Sequence, residues 1–234
     1  LYPTHGLGPV AQYMSLVRKE DNFKKIVSLS SPSKGRALIA KKYFEKDHEW
    51  NNLEFNNGDI NTSIIQTTYG KTIMIQWDET SPRPYTRLTL IQGTKGTLAG
   101  GPTRAAFDNG FEGYTKDAEE WIIGEGIDAL YEKYDHPMYK RLNKITQDSG
   151  HGGMDGMMVY RIIECLRKGE PLDQNVYEGC AWSSLIELTS NSVNNNGQPQ
   201  DFPDFTLQMI LRIREQLFVI RSCFLCLKMN AIQT

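Results

Sequence analysis

The chain has 234 residues, a formal net charge of −2 and 39% hydrophobic residues, which is length and apolar content enough for a globular core. The near balance of charge argues against nucleic acid and against an anionic membrane as partners, because both select a basic excess. Four cysteines in a chain this long do not make a disulfide framework, and the lone Cys223-x-x-Cys226 lacks a second Cys/His pair of zinc spacing, so no metal site is expected.

In chain order, Gly8–Lys19 carries Val10, Tyr13, Met14 and Val17 at helical spacing behind a turn region at Thr4–Pro9. Ile26–Ser30 is a short strand candidate, and Pro32–Asn57 is polar and reads as loop. Thr62–Tyr69 and Thr72–Asp78 flank Gly70-Lys71 and predict a β-hairpin. Arg87–Gln92 and Gly96–Leu98 read as further strands of the same sheet, and Phe107–Glu125 has no clear period. Pro137–Thr146 predicts a short helix. Gly153–Lys168 is the clearest helix, with Met154, Met157, Met158, Ile162 and Cys165 on an apolar face that reads as core and Gly169 as its stop. Asp173–Ser192 follows as a second long helix, ended by Asn194-Asn195-Asn196-Gly197.

Strands first and long helices later predict an α+β fold, a mostly antiparallel open sheet with helices on one face. There are no internal repeats. This domain covers residues 1–206, and residues 207–234 form an atypical tail. There Leu217–Ile220 and Cys223–Leu227 are too apolar for a surface, while Arg212, Arg214, Glu215, Arg221 and Lys228 interrupt them too often for a membrane span. Leu1-Tyr2-Pro3 reads as the interior of a longer polypeptide. No G-x-G-x-x-G lies between a strand and a helix, so the chain offers no nucleotide-binding half.

The residue that points to chemistry is His151, set among Gly150, Gly152 and Gly153 directly before the clearest helix. Glycines let a segment move, and a helix N-terminus directs backbone donors outward. An imidazole titrates near neutrality, which suits a group that hands protons on. Asp155, one turn later, could orient the ring, although an acid in a first helical turn also simply complements the helix dipole. Asp78 and Glu79 are adjacent in a strand and face opposite ways, which argues against a catalytic carboxylate pair. His48-Glu49-Trp50 and His136 read as surface or packing residues.

Five motifs carry a resemblance: Tyr2-Pro3-Thr4-His5-Gly6-Leu7-Gly8-Pro9-Val10, the run from Gln76-Trp77-Asp78 to Pro84-Tyr85, Gly93-Thr94-Lys95-Gly96-Thr97-Leu98-Ala99-Gly100, the His151 loop, and Phe202-Pro203-Asp204-Phe205. Together they resemble the C-terminal half of the NAD-dependent family 109 glycoside hydrolases, best known as α-N-acetylgalactosaminidases, within the glucose–fructose oxidoreductase and inositol dehydrogenase superfamily. The resemblance implies a two-domain enzyme whose Rossmann domain, absent from this chain, holds NAD. It implies hydrolysis of α-N-acetylgalactosaminides by oxidation at C3, loss of the C2 proton with elimination of the glycosidic oxygen, addition of water and return of the hydride. That route lies outside the usual carboxylate-pair scheme, and the cofactor carries its hard step.

The resemblance makes His151 the catalytic proton carrier and places Tyr2 and His5 in the substrate site. Tyr2 would stack on or hydrogen-bond the sugar, and His5 would meet a ring hydroxyl. Tyr85, aimed by Pro82 and Pro84, would face the N-acetyl side; with Asp155 these are the candidate substrate residues. The superfamily's usual His–Asp pair is not formed from His5, because Gly8 stands three residues on. Two departures are Ser149, where the family usually has glycine, and the tail after Phe205-Thr206, which reads as a changed reading frame or a misplaced terminus. Without its Rossmann half the chain alone is expected to be inactive. The alternatives are a sugar dehydrogenase of the same superfamily, releasing ketosugar and NADH, or a truncated domain acting only in assembly. Sheets of this kind often pair between subunits, which leaves a homo-oligomer open. The resemblance also places the enzyme in bacteria, outside the cytoplasm in the periplasm.

Overall fold

The computed structural model describes residues 3–17, 21–55 and 58–205. The first elements are α1 (Thr4–Tyr13), β1 (Phe23–Ser30), α2 (Gly35–Tyr43), β2 (Ile60–Thr67), β3 (Thr72–Asp78), β4 (Leu90–Gly93), β5 (Gly96–Ala99) and β6 (Arg104–Phe107). Then come α3 (Glu125–Tyr134), α4 (Pro137–Thr146), α5 (Met154–Lys168), α6 (Val176–Ser183), α7 (Leu185–Asn194) and β7 (Gln200–Asp201). The fold is α+β, and every strand pair among the described residues is antiparallel. The chain divides into two compact units, one from Leu1–Pro82 with Asn175–Thr234 and one from Arg83–Gln174.

The first unit holds a four-stranded sheet of order β3-β2-β1-β7. Strand alternation sends Ile26 and Ser28 of β1, and Ser63, Ile65 and Thr67 of β2, to the buried side. On that side Leu7 and Ala11 of α1, Ala181 and Trp182 of α6, and Leu185 of α7 complete the core with Phe23, Ile26 and Ile65. Buried serines join α7 to the sheet: Ser28 N donates to Ser192 Oγ at 2.9 Å, and the Ser28 and Ser63 hydroxyls share a 2.7 Å hydrogen bond. The buried Glu178 closes a capping box with Asn175 at the start of α6 and accepts from Gln12 of α1 at 3.0 Å. The β2–β3 hairpin turns at Gly70, and buried Asp21 holds it through Tyr69 N at 3.0 Å and Lys71 Nζ at 2.6 Å. The opposite face of the sheet carries Val27, Ile64 and Met74 in one cross-strand row, all of them exposed, as is Leu29.

The second unit contains the three-stranded sheet β4-β5-β6, extended by a bridge between Ala105 and Ile122, and the helices α3, α4 and α5. Its buried cluster is small: Ala105, Ile122 and Ile127, with Phe107, Phe111 and Leu130 packed against it.

Five expectations are corrected. The first helix begins at Thr4, because the Pro3 carbonyl accepts from Gly6 N and Leu7 N, and it ends at Tyr13, after which Ser15 and Val17 take positive φ. The Pro32–Asn57 stretch contains α2 and a single 3₁₀ turn at Glu49–Asn51. The amides of Lys34 and Gly35 at the α2 N-terminus are satisfied by Asp59 Oδ2 at 2.7 and 2.8 Å, from a residue too distant in sequence to read as a cap. Leu90–Gly93 and Gly96–Ala99 form a sheet of their own, since the proline-bearing segment after β3 leaves the first sheet. The Asp173–Ser192 helix is two helices that break at Ser184, whose hydroxyl donates to the Ala181 carbonyl at 2.8 Å.

Last, the apolar face of α5 is not core. Cys165 is buried and Met157 half-buried, but Met154, Met158 and Ile162 are 58%, 58% and 40% exposed. The apolar tail lies outside the described residues, so its expected character stays an expectation.

Candidate functional site

The histidines sort themselves by what they touch. His48 Nδ1 accepts from Trp50 N at 3.2 Å, capping the 3₁₀ turn, and its ring stacks on Phe44. His136 Nδ1 accepts from Met138 N at 3.2 Å and caps α4, with Pro137 in the first helical position. Both do structural work. His5 is an exposed residue in the first turn of α1.

His151 is held differently. It opens a 3₁₀ turn, His151–Gly153, that runs directly into α5. Four consecutive residues take positive φ: Gly150 at 71°, His151 at 44°, Gly152 at 65° and Gly153 at 95°. Glycine adopts this left-handed path freely, whereas a histidine there carries strain of about 1 kcal/mol or more, a cost that recurs at functional sites. A Cβ on Gly150 would stand 2.5 Å from Asp155 Oδ2, so the loop passes as close to that carboxylate as a bare backbone can.

Asp155 lies in the first turn of α5, and both its oxygens are 3.0 Å from His151 Nδ1. A carboxylate accepts hydrogen bonds only, so the neutral ring paired with it carries its proton on Nδ1 and its lone pair on Nε2. The His151 side chain is 75% exposed, which keeps the ring open to a reactant. The arrangement is an exposed imidazole with its tautomer chosen by an acid, set on a strained turn.

Tyr85 belongs to the same unit as His151 and is 82% exposed. Arg87 Nε donates to its hydroxyl oxygen at 3.2 Å, which leaves the phenolic proton to be offered outward. His5 belongs to the other unit, and Tyr2 lies outside the described residues. Of the residues expected in the site, the structure therefore brings together His151 and Asp155.

Three contributors were missed in the sequence. Ser149 ties the two ends of the His151 loop. Arg87 contacts Tyr85 from two residues away, a spacing with no distinctive signature. Arg161 of α5 meets Asp173 with two nitrogens and also reaches Glu164 and Glu170, so that the helix is clamped to the segment after it. The carboxylates of Asp173, Glu164 and Glu170 push the Arg161 guanidinium pKa further up, and Lys168 and Arg161 hold the Glu164 carboxyl below its ordinary value. Among the described residues no group of three or more His, Cys, Asp or Glu side chains could hold a metal ion, and no helix is long and apolar enough to cross a membrane.

Residues 1–211 match the family described as "Glycosyl hydrolase 109, C-terminal domain". The chain belongs to glycosyl hydrolase family 109. It is 60% identical over 208 residues to glycosyl hydrolase family 109 protein 1 of Akkermansia muciniphila, covering 88% of this chain and 43% of that protein. It is 52% identical over 207 residues to family 109 protein 2 of Shewanella sp. strain ANA-3, covering 88% of this chain and 44% of that one. The chain thus spans less than half the length of the curated family 109 relatives it matches. Among solved structures, an oxidoreductase domain protein from Kribbella flavida aligns with TM-score 0.45 and 12% identity, covering 78% of this chain and 46% of that one.

Proposed function

We propose that this family 109 domain is the substrate-side part of an NAD-dependent α-N-acetylgalactosaminidase in which His151 moves the protons of bond cleavage and hydration. The observation that carries the reading is the His151–Asp155 pair on a left-handed glycine turn. NAD supplies the hydride chemistry of such an enzyme. The described residues form no cradle for it: all strand pairs are antiparallel, and no strand leads through a glycine turn into a helix and back to a parallel neighbour. The cofactor is accordingly assigned to a part of the protein outside the described residues, and the steps considered for these residues are proton steps.

For those steps, Nε2 of His151 accepts a proton in one half-reaction and returns it in the other, while Asp155 stabilises the imidazolium formed between them. Tyr85, whose hydroxyl oxygen is occupied by Arg87, offers its proton to a sugar acetamido carbonyl. His5 and Tyr2 are assigned to sugar hydroxyl and ring contacts on the strength of the motif they share.

The test is a product analysis of the complete encoded protein, loaded with NAD, on a chromogenic α-N-acetylgalactosaminide. Release of chromophore and sugar without net NADH is the expected result. Accumulation of NADH and ketosugar would move the assignment to a dehydrogenase.

A second assignment concerns assembly. The open sheet face, with Val27, Leu29, Ile64 and Met74 exposed, supports pairing of two copies. Sedimentation of Ile64→Glu beside the parent tests it: the parent is expected as an oligomer and the variant as a monomer, and equal masses would remove that role from the face.

A further inference from the structure

The last turn of α4 and the first turn of α5 are joined by one hydroxyl. Gly153, at the N-terminal boundary of α5, has no side chain with which to accept an amide of the first turn. Ser149 does so from upstream: Gly156 N donates to Ser149 Oγ at 2.9 Å. The same hydroxyl donates to the Thr146 carbonyl at 2.6 Å, and the Ser149 backbone N–H donates to that carbonyl at 2.9 Å. Thr146 is itself buried, with its hydroxyl donating to the Leu142 carbonyl at 3.1 Å. The two turns approach so closely that a Cβ on Gly156 would stand 2.3 Å from Ser149 Oγ and 3.0 Å from Thr146 Cβ.

Between Ser149 and the start of α5 at Met154 the chain has four residues, 150–153, and His151 is one of them. The carboxylate that holds the ring, Asp155, is the immediate neighbour of the anchored Gly156. Whatever sets the first turn of α5 against α4 therefore also sets the acid beneath the imidazole.

We infer that Ser149 is a positioning residue for His151: its bridging hydroxyl fixes the Asp155 turn and so selects the Nδ1–H tautomer and the direction in which Nε2 points. This rests on the reading of His151 as proton carrier. The bridge confines freedom to residues 150–153, so the ring moves about a fixed acid and the loop ends stay in place. Capping alone would affect helix stability; positioning affects the ring.

The test compares Ser149→Ala, Ser149→Thr and the parent as complete encoded proteins. Loss of the hydroxyl is expected to speed hydrogen exchange of the Gly156 amide about tenfold, the factor that matches loss of an N-terminal cap. The imidazole nitrogen spectrum of His151 is expected to move from the Nδ1–H tautomer toward a mixture. Turnover is expected to fall severalfold with KM unchanged, and Ser149→Thr, which keeps the hydroxyl, is expected to restore both spectrum and turnover. Ser149→Gly is the second variant should Ser149→Ala fail to fold: it too removes the hydroxyl, and the same change of tautomer is expected of it. Faster exchange with an unchanged tautomer would reduce Ser149 to a helix cap and overturn the inference. Parent-like hydrolysis by His151→Ala would instead overturn the proton-carrier reading, and with it the effect on turnover; the tautomer of His151 reports the hold of Ser149 on the ring separately.

Discussion

Two carboxylates hold two turns in this molecule, and they do so under opposite conditions. Asp21 is buried, with 5% of its side chain exposed, and binds the Lys71 ammonium and the Tyr69 amide beside the core of the first unit. Asp155 is half exposed and binds a histidine within a unit whose buried cluster is three residues. The first arrangement fixes a hairpin, and little in it can change without cost. The second holds one ring in one tautomer while the surrounding loop is built from glycine. Where the core is large the acid is buried and secures architecture; where it is small the acid stays exposed beside an imidazole.

The largest effect expected from this contrast is in the first core. Ile65 is fully buried, and Ile65→Ala is expected to cost about 2–5 kcal/mol in a urea melt. Asp21→Asn comes next, at about 1.5–3 kcal/mol, because it leaves the Lys71 and Tyr69 donors poorly matched.

Asp21 also gives the molecule an acid limit. Burial alone would raise its carboxyl pKa, but the Lys71 ammonium and the Tyr69 amide outweigh burial and hold it below the ordinary value. A carboxyl depressed in the folded state contributes stability that is complete above its unfolded pKa of about 3.9 and is lost as pH falls through the folded value. The parent is therefore expected to lose stability below about pH 4, and Asp21→Asn to lose less over the same range, which parallel melts would show.

Asp59→Ala, which uncaps α2, is expected to cost about 1 kcal/mol and to speed exchange of the Lys34 and Gly35 amides. The smallest stability effect belongs to Asp155→Asn, within about 0.5 kcal/mol, accompanied by slower hydrolysis. A stability loss at Asp155 as large as that at Asp21 would end the comparison, because it would make the His151 turn another piece of framework.

What could be read from residues alone followed from how local the cause was. The β2–β3 hairpin, α4 and α5 were legible because Gly70, Pro137 and Gly169 mark their ends within a residue or two. The α2 helix was not, because its cap comes from Asp59 across the fold. The two separate sheets were not, because alternation shows which residues face inward and not which strand is the neighbour. The α5 stripe was read correctly as apolar and wrongly as buried, since periodicity reports a face and not what covers it. In the candidate site, the His151 loop announced itself through its glycines, and the spacing of Asp155 made the pair thinkable. Ser149 was visible as a departure from the family but not as a bridge, because its partners, Thr146 and Gly156, lie on either side of the loop.

The most direct measurement is the rate at which His151→Ala hydrolyses a chromogenic α-N-acetylgalactosaminide, set beside the complete, NAD-loaded parent. Loss of a positioned acid–base group is expected to lower turnover by about 10²–10⁴-fold, with KM and folding retained. A variant that turns over within about threefold of the parent, far short of any acid–base contribution, would contradict the assignment of His151 as proton carrier.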